Sequence, residues 1–211
     1  MSYDVYLFDF DYTLVDAEAA ILTCYRAVLK RHGHPDVPDG TIKRCIGKGV
    51  TEVLRTLTGV EDEAILQQYY EEYMQEADGF MTANTLVYPE TVPVLRELKN
   101  RGKKTGIISN KLGQRIMEVL VKFDITDLFD VVIGSGEVTA PKPSPEGIFC
   151  ALNRLGASKD DAIYTGDSLV DAKTAQNAAV AFAAVTTGAT EAEEFHDFPR
   201  VMIMTDITGL L

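Results

Sequence analysis

From Pro89 to the C terminus the chain switches repeatedly between two hydrophobic periods, and this alternation restricts the fold more than any other feature. Apolar runs at Lys104–Ile108, Val131–Ile133, Asp161–Thr165, Val180–Val185 and Arg200–Met204 read as strands. Between them lie stretches with helical spacing: Pro89 to about Arg101, Gly113–Phe123, Pro145–Leu155 and Asp171–Ala179, with a last helical turn at Asp206–Leu211. Val5–Phe8 adds one more apolar run near the N terminus. Strands alternating with helices of about ten residues demand right-handed crossovers and a parallel sheet. The expected fold class is therefore α/β, a Rossmann-like parallel sheet flanked by helices.

Residues 15–84 break this rhythm. Helical spacing covers Ala17–Arg31, a short stretch through Ile42 and Ile46, Val50–Leu57 and Glu61–Ala77, with no convincing strand. An all-helical insert directly after the first strand reads as a lid. The division expected is a core of residues 1–14 and 86–211 and a helical cap of residues 15–85. Thr13–Asp16 and Met81–Leu86 are the expected hinges.

The formal net charge of −12 over 211 residues argues against nucleic acid or an anionic membrane as partner, since both need a basic face. Cys24, Cys45 and Cys150 are far apart and form no C-x-x-C, so neither disulfides nor zinc are suggested. His32 and His34 flank Gly33 in what reads as a solvated loop. No secretory signal is visible, and the longest apolar run, Ala178–Val185, is too short for a bilayer. A reducing cytoplasm is the expected compartment. Oligomeric state, monomer or homodimer, is left open, because the tyrosines of the last cap helix suit an interface or internal packing equally.

Polar residues gather where the strands end. The first strand delivers Asp9 and Asp11, the second Ser109 and Asn110, the segment after the third Lys142, and the fourth Asp167 with Asp171 four residues on. Singly, each has an ordinary explanation: an acidic turn, a helix-capping pair, a surface lysine, a helix N-cap and its first turn. In a parallel sheet, however, all these ends share one edge, where α/β proteins bind ligands. Two carboxylates closing a buried strand are costly unless paired or bound to metal, so a Mg²⁺ site is expected.

In order, Asp9-Phe10-Asp11-Tyr12-Thr13, Ser109-Asn110, Lys142-Pro143 and Gly166-Asp167-Ser168 with Asp171 resemble the four motifs of the haloacid dehalogenase superfamily. The resemblance spans essentially the whole chain, including a helical cap between the first two motifs. Tyr12 departs from it, standing where the family very often has glycine; a side chain there would crowd or shape the entrance.

The resemblance implies roles. Asp9 is the nucleophile, forming an aspartyl-phosphate, and Asp11 the general acid/base. Mg²⁺ is held by Asp9, the backbone carbonyl of Asp11, and Asp167. Ser109, Asn110 and Lys142 hold the phosphoryl group, while Thr13 and Asp171 support the loop and the charged shell. An Asp at position 11 points to phosphate esters rather than halides. In the cap, Lys48 within Gly47-Lys48-Gly49, and less strongly Arg44, are candidate contacts for a substrate anion; a plain inter-helix turn is an equal reading.

The implied partner is a small phosphorylated metabolite. The cap pattern and the tail Ala184–Gly188 look most like phosphoglycolate phosphatases, with a pyrophosphatase branch close by. A β-phosphoglucomutase-type mutase is the alternative, weakened because Ile21 replaces its cap histidine and Thr51 and Glu52 stand where it has arginine. A catalytically idle binding protein is the remaining reading, disfavoured because every catalytic position is filled.

Overall fold

The computed structural model describes residues 3–211. The chain begins with β1 (Val5–Phe8), crosses to β2 (Val15–Asp16), and enters five helices: α1 (Glu18–Arg31), α2 (Asp39–Lys43), α3 (Val50–Thr58), α4 (Glu63–Ala77) and α5 (Phe80–Ala83). It returns through β3 (Leu86–Val87) into α6 (Thr91–Asn100), β4 (Lys104–Leu112), α7 (Gly113–Lys122), β5 (Val131–Ser135), α8 (Glu146–Leu155), β6 (Ala162–Gly166), α9 (Leu169–Ala178), β7 (Ala181–Val185) and β8 (Met202–Met204).

Six strands form one sheet in the order β5-β4-β1-β6-β7-β8, and every pairing is parallel. β1 is central, with Val5 opposite Lys104 on one side and Ala162 on the other. Its four residues are all buried because both faces of the sheet are covered. Side chains alternate across the strand. Tyr6 and Phe8 pack with Leu95, Leu98 and Ile116 of α6 and α7. Val5 and Leu7 pack with Ile148, Ala151 and Ala172 of α8 and α9. Successive strands run outward from β1 in one direction, then from β6 in the other. The reversal between β1 and β6 is the switch point where such sheets open a crevice.

The five cap helices share a separate apolar cluster, including Ile21, Tyr25, Val28, Leu54, Leu66 and Tyr73. Asp62 caps α4 by accepting from the Ala64 and Ile65 N–H groups at 2.9 and 3.3 Å.

The structure corrects several sequence expectations. Val15–Asp16 is a strand, pairing antiparallel with Leu86–Val87 in a two-stranded ribbon through which the chain enters and leaves the cap. Two residues are too few to show a period. β4 continues past Ile108 to Leu112, with an irregularity that shifts its register against β5. α5 was not anticipated, and α6 starts at Thr91 rather than Pro89. His32 is not a solvated loop residue: its ring stacks on Tyr69, centroids 4.0 Å apart, and Nε2 lies 2.9 Å from Glu72. Tyr69 and Tyr73 are buried within the cap, so they serve its packing. No described helix is long and apolar enough to cross a membrane.

Candidate active site

Asp9 follows directly on β1, and its N–H donates to the Thr165 carbonyl at 2.8 Å, extending the β1–β6 pairing by one residue. The side chain is buried, and neither carboxylate oxygen has a well-directed hydrogen bond. Lys142 Nζ lies 2.7 Å from Oδ1, close enough to pair in charge. Burial and the nearby Asp171 carboxylate push the Asp9 acid up to about 7, against the pull of Lys142.

Lys142 is held from every side. Asn110 clamps its backbone, accepting from the Lys142 N–H at 2.8 Å and donating to its carbonyl at 3.2 Å. Lys142 Nζ meets Asp171 Oδ1 at 2.7 Å and the Tyr164 hydroxyl at 3.1 Å. Burial opposes its charge, but Asp171 and Asp9 outweigh that and keep the ammonium protonated.

Asp171 is the third residue of α9 and forms a capping box with Ser168. Its Oδ2 accepts from Ser168 N and Oγ at 3.1 and 2.5 Å. Its Oδ1 accepts from Lys142 and, at 2.8 Å, from Tyr164. Both oxygens are thus engaged. Asp167, by contrast, accepts one side-chain bond among the described residues, from Thr13 Oγ1 at 3.3 Å. Burial, then Asp171 and Asp9, push its acid well above the carboxylate range.

Asp9, Asp167 and Asp171 each place a carboxylate oxygen within 4.8 Å of the others. Three buried carboxylates facing one lysine leave an excess of negative charge. The donor atoms are all hard oxygens, and among the described residues those of Asp9 have no well-directed hydrogen bond beside the charge contact with Lys142. That set fits a Mg²⁺ ion better than zinc or copper, which favour nitrogen and sulfur. Since Asp171 is saturated by other donors, Asp9 and Asp167 are the side chains left to hold a cation.

A cavity opens above Asp9. The core lines it with Asp9, Asp11, Ser109 and Lys111, the cap with Lys48 and Tyr70 among others. Lys48 also pairs with Glu52 at 3.2 Å. Arg44 does not line this cavity: it borders a second one, which Lys48 and Asp167 also line, and its guanidinium is 3.2 and 3.3 Å from the Glu194 carboxylate of the core. Asn110 lines the main cavity, but its amide is committed to Lys142 and, at 3.0 Å, to the cap carbonyl of Gly47.

With this geometry in hand, similarity to known proteins becomes decisive. The family model of the haloacid dehalogenase-like hydrolases matches residues 6–185. The chain belongs to the haloacid dehalogenase-like hydrolases. A haloacid dehalogenase-like hydrolase of Bacteroides fragilis superposes with a TM-score of 0.98 at 46% identity, covering 100% of both chains. A phosphoglycolate phosphatase of Rhodobacter capsulatus is 32% identical, over 91% of this chain and 92% of that protein. A pyrophosphatase, PpaX, of Listeria innocua is 30% identical, over 97% of this chain and 93% of that protein.

One residue of this haloacid dehalogenase-like hydrolase, Lys111, is not among the candidates its sequence offers. Lys111 Nζ lies 3.0 and 3.1 Å from the two oxygens of Asp11. Once β4 is extended to Leu112, Ser109 and Lys111 stand two residues apart on one strand, which is the signal that would have found it. The ring of Tyr12 packs in the apolar cluster of the cap. Its hydroxyl donates to Glu18 Oε2 at 2.5 Å. Burial and the Glu18 carboxylate keep the phenol protonated, with its acid far above the usual value. Glu18 in turn stays ionised despite some burial, because Lys43 and Tyr12 both bond to it.

Proposed function

We propose that this chain is a Mg²⁺-dependent phosphomonoesterase that hydrolyses a small phosphorylated metabolite through an aspartyl-phosphate on Asp9. The observation that carries this reading is the Asp9 carboxylate. It is buried at the end of the central strand, lacks hydrogen bonds, stands beside Lys142, and opens on the cavity that Asp11 also lines.

An Asp9 oxygen attacks phosphorus in line, forming the Asp9 Oδ–P bond as the ester P–O bond breaks. Asp11 gives its proton to the departing alkoxide. It then takes a proton from the water that attacks the aspartyl-phosphate and releases inorganic phosphate. The Lys142 ammonium and the Ser109 hydroxyl hold the non-bridging oxygens as charge shifts among them. Lys111 steadies the Asp11 carboxylate between steps. Asp171, Tyr164 and Asn110 act through Lys142, fixing where its ammonium points. Thr13 steadies Asp167.

Asp9, Asp167 and the Asp11 backbone carbonyl would hold Mg²⁺. When bound, it supplies the positive charge that allows a carboxylate to approach a phosphate dianion. A cap seated over the site would exclude water, and Lys48 is the cap cation that lines the cavity.

The Rhodobacter relative makes phosphoglycolate the first substrate to test. The Listeria relative supports pyrophosphate as a second reading. The three free cysteines suit a reducing cytoplasm.

The test is hydrolysis of p-nitrophenyl phosphate, with and without chelation, followed by a metabolite panel ranked by kcat/KM. Expected are loss of activity on chelation, recovery with Mg²⁺, and no turnover by Asp9→Asn. Full activity in Asp9→Asn would end the covalent mechanism. A flat panel would remove phosphoglycolate as the preferred substrate.

A further inference from the structure

The loop from β1 to β2 sends its side chains to different places. Phe10 and Leu14 join the core cluster on the α6 and α7 side of the sheet. Asp9 and Asp11 line the cavity, and Thr13 reaches Asp167. Tyr12 alone in this loop belongs to the apolar cluster of the cap.

Its backbone is left-handed, φ +62°. Bulky residues seldom adopt that conformation, and glycine holds it without steric cost. A buried tyrosine stands there instead, and its bonds run both ways. Toward the cap, the hydroxyl meets Glu18 at the start of α1, and Glu18 Oε1 pairs with Lys43 at the end of α2, 2.6 Å away. Toward the core, the Tyr12 N–H donates to the Val15 carbonyl at 2.8 Å, and its own carbonyl accepts from the Thr187 hydroxyl. Thr187 precedes Gly188, which abuts Asp167.

We propose that Tyr12 is a positioning residue that makes the placement of Asp11 and Thr13 depend on the seating of the cap. A left-handed residue sets the direction of the peptide planes on either side of it. Here those planes carry Asp11 and Thr13, while the ring is anchored in the cap. If the cap swings about the ribbon of β2 and β3, the ring must leave its cluster or draw the loop with it. Drawing the loop displaces the acid/base Asp11 from its place beside Lys111; freeing the ring removes the anchor that holds the left-handed turn between Asp11 and Thr13. The link from Tyr12 through Glu18 to Lys43 is thus this chain's own tie between the cap and the loop of Asp11.

The kinetic part of the test rests on the phosphatase reading; the exchange part does not. Tyr12→Phe keeps the ring and removes the hydroxyl. Glu18→Ala removes its acceptor, and Glu18→Gln keeps one. Tyr12→Phe and Glu18→Ala are each expected to lower kcat on p-nitrophenyl phosphate about tenfold, with KM moving less than about twofold. The double variant should be no worse than the poorer single one, as for two ends of one link. Glu18→Gln should recover most of the loss. Full kcat in Tyr12→Phe, or multiplying losses in the double variant, overturns the proposal. In hydrogen exchange, both single variants should exchange faster at residues 9–16 while α8 is unchanged. Wild-type exchange at residues 9–16 in both overturns the proposal by itself. An inactive wild-type enzyme would overturn the proposed function and leave the exchange result to decide on Tyr12.

Discussion

Replacing Gly188 by alanine directs a steric clash at one proposed metal ligand. A Cβ at this position would lie 1.9 Å from Asp167 Oδ2, 2.8 Å from its Cγ and 3.1 Å from its Cβ, and these are its three nearest neighbours. The backbone of Gly188 is outside the left-handed region, so alanine suits it and the conflict falls on Asp167. Non-bonded heavy atoms settle about 3.5 Å apart, so the carboxylate must retreat by roughly 1.5 Å. Its other oxygen accepts from Thr13, so the retreat also pulls on the loop that carries Asp11. A misplacement of about 1 Å at a reacting centre costs on the order of 100-fold. Gly188→Ala is therefore expected to lower kcat/KM about 100-fold and to raise the Mg²⁺ concentration needed for half-maximal rate. Overpacking of this kind costs about 1–3 kcal/mol. In a chain of this size each kcal/mol lowers Tm by about 2–4 °C, so the protein remains folded in the assay. The measurement is p-nitrophenyl phosphate hydrolysis across a Mg²⁺ series, beside a thermal melt. A folded Gly188→Ala enzyme with wild-type kcat/KM and an unchanged Mg²⁺ requirement would refute the assignment of Asp167 to the metal.

Lys142→Met removes the cation standing 2.7 Å from both Asp9 and Asp171. Its kcat should fall about 100- to 1,000-fold, and its stability by about 3–5 kcal/mol as the carboxylates lose their buried partner, read from the urea midpoint. Arg44→Ala breaks an exposed bridge to Glu194 outside the main cavity. It should leave the denaturant midpoint nearly unchanged, since exposed pairs are screened by solvent, and leave kcat/KM nearly unchanged; a large loss of kcat/KM would restore Arg44 as a substrate contact. Asp130 is partly buried, yet its acid is held below the usual value by Lys99 Nζ at 2.6 Å and the Thr105 N–H at 2.8 Å. A depressed carboxylate contributes stability above its unfolded pKa of about 4 and loses it as pH falls through the folded value. Asp130→Asn should therefore narrow the difference in Tm between about pH 6 and about pH 3.

The sheet could be read from sequence because each core strand is an apolar run bounded by turn residues, and because β1 is buried on both faces. Strand ends on a common edge likewise foretold that Asp9, Lys142, Asp167 and Asp171 would lie together. What local pattern could not carry were contacts made at a distance. The ribbon of Val15–Asp16 with Leu86–Val87 joins residues some 70 positions apart, and neither half has enough length to show a period. Asn110 reads from sequence as a phosphate ligand, yet its amide is spent on the Lys142 backbone and on Gly47, a partner some 60 positions away in the cap. Lys111 was hidden by ending β4 four residues early. Tyr12 reads from sequence as an obstruction at the entrance because its partner, Glu18, opens α1 beyond β2 and is reached through a left-handed turn.

The central place of β1 has a consequence for how the chain is made. Val5 pairs with Lys104 and Ala162, so its neighbours in the sheet lie about 100 and about 160 residues downstream. At about 5–20 residues per second, the first of them leaves the ribosome roughly 5–20 s after β1. During that interval the segment Val5–Phe8 has no strand beside it and is an apolar edge open to stray pairing. The helices of the cap, whose contacts are local, are complete before β4 appears. Synthesis from the N terminus thus delivers first the strand that leads into Asp9, and gives it a place in the sheet only later.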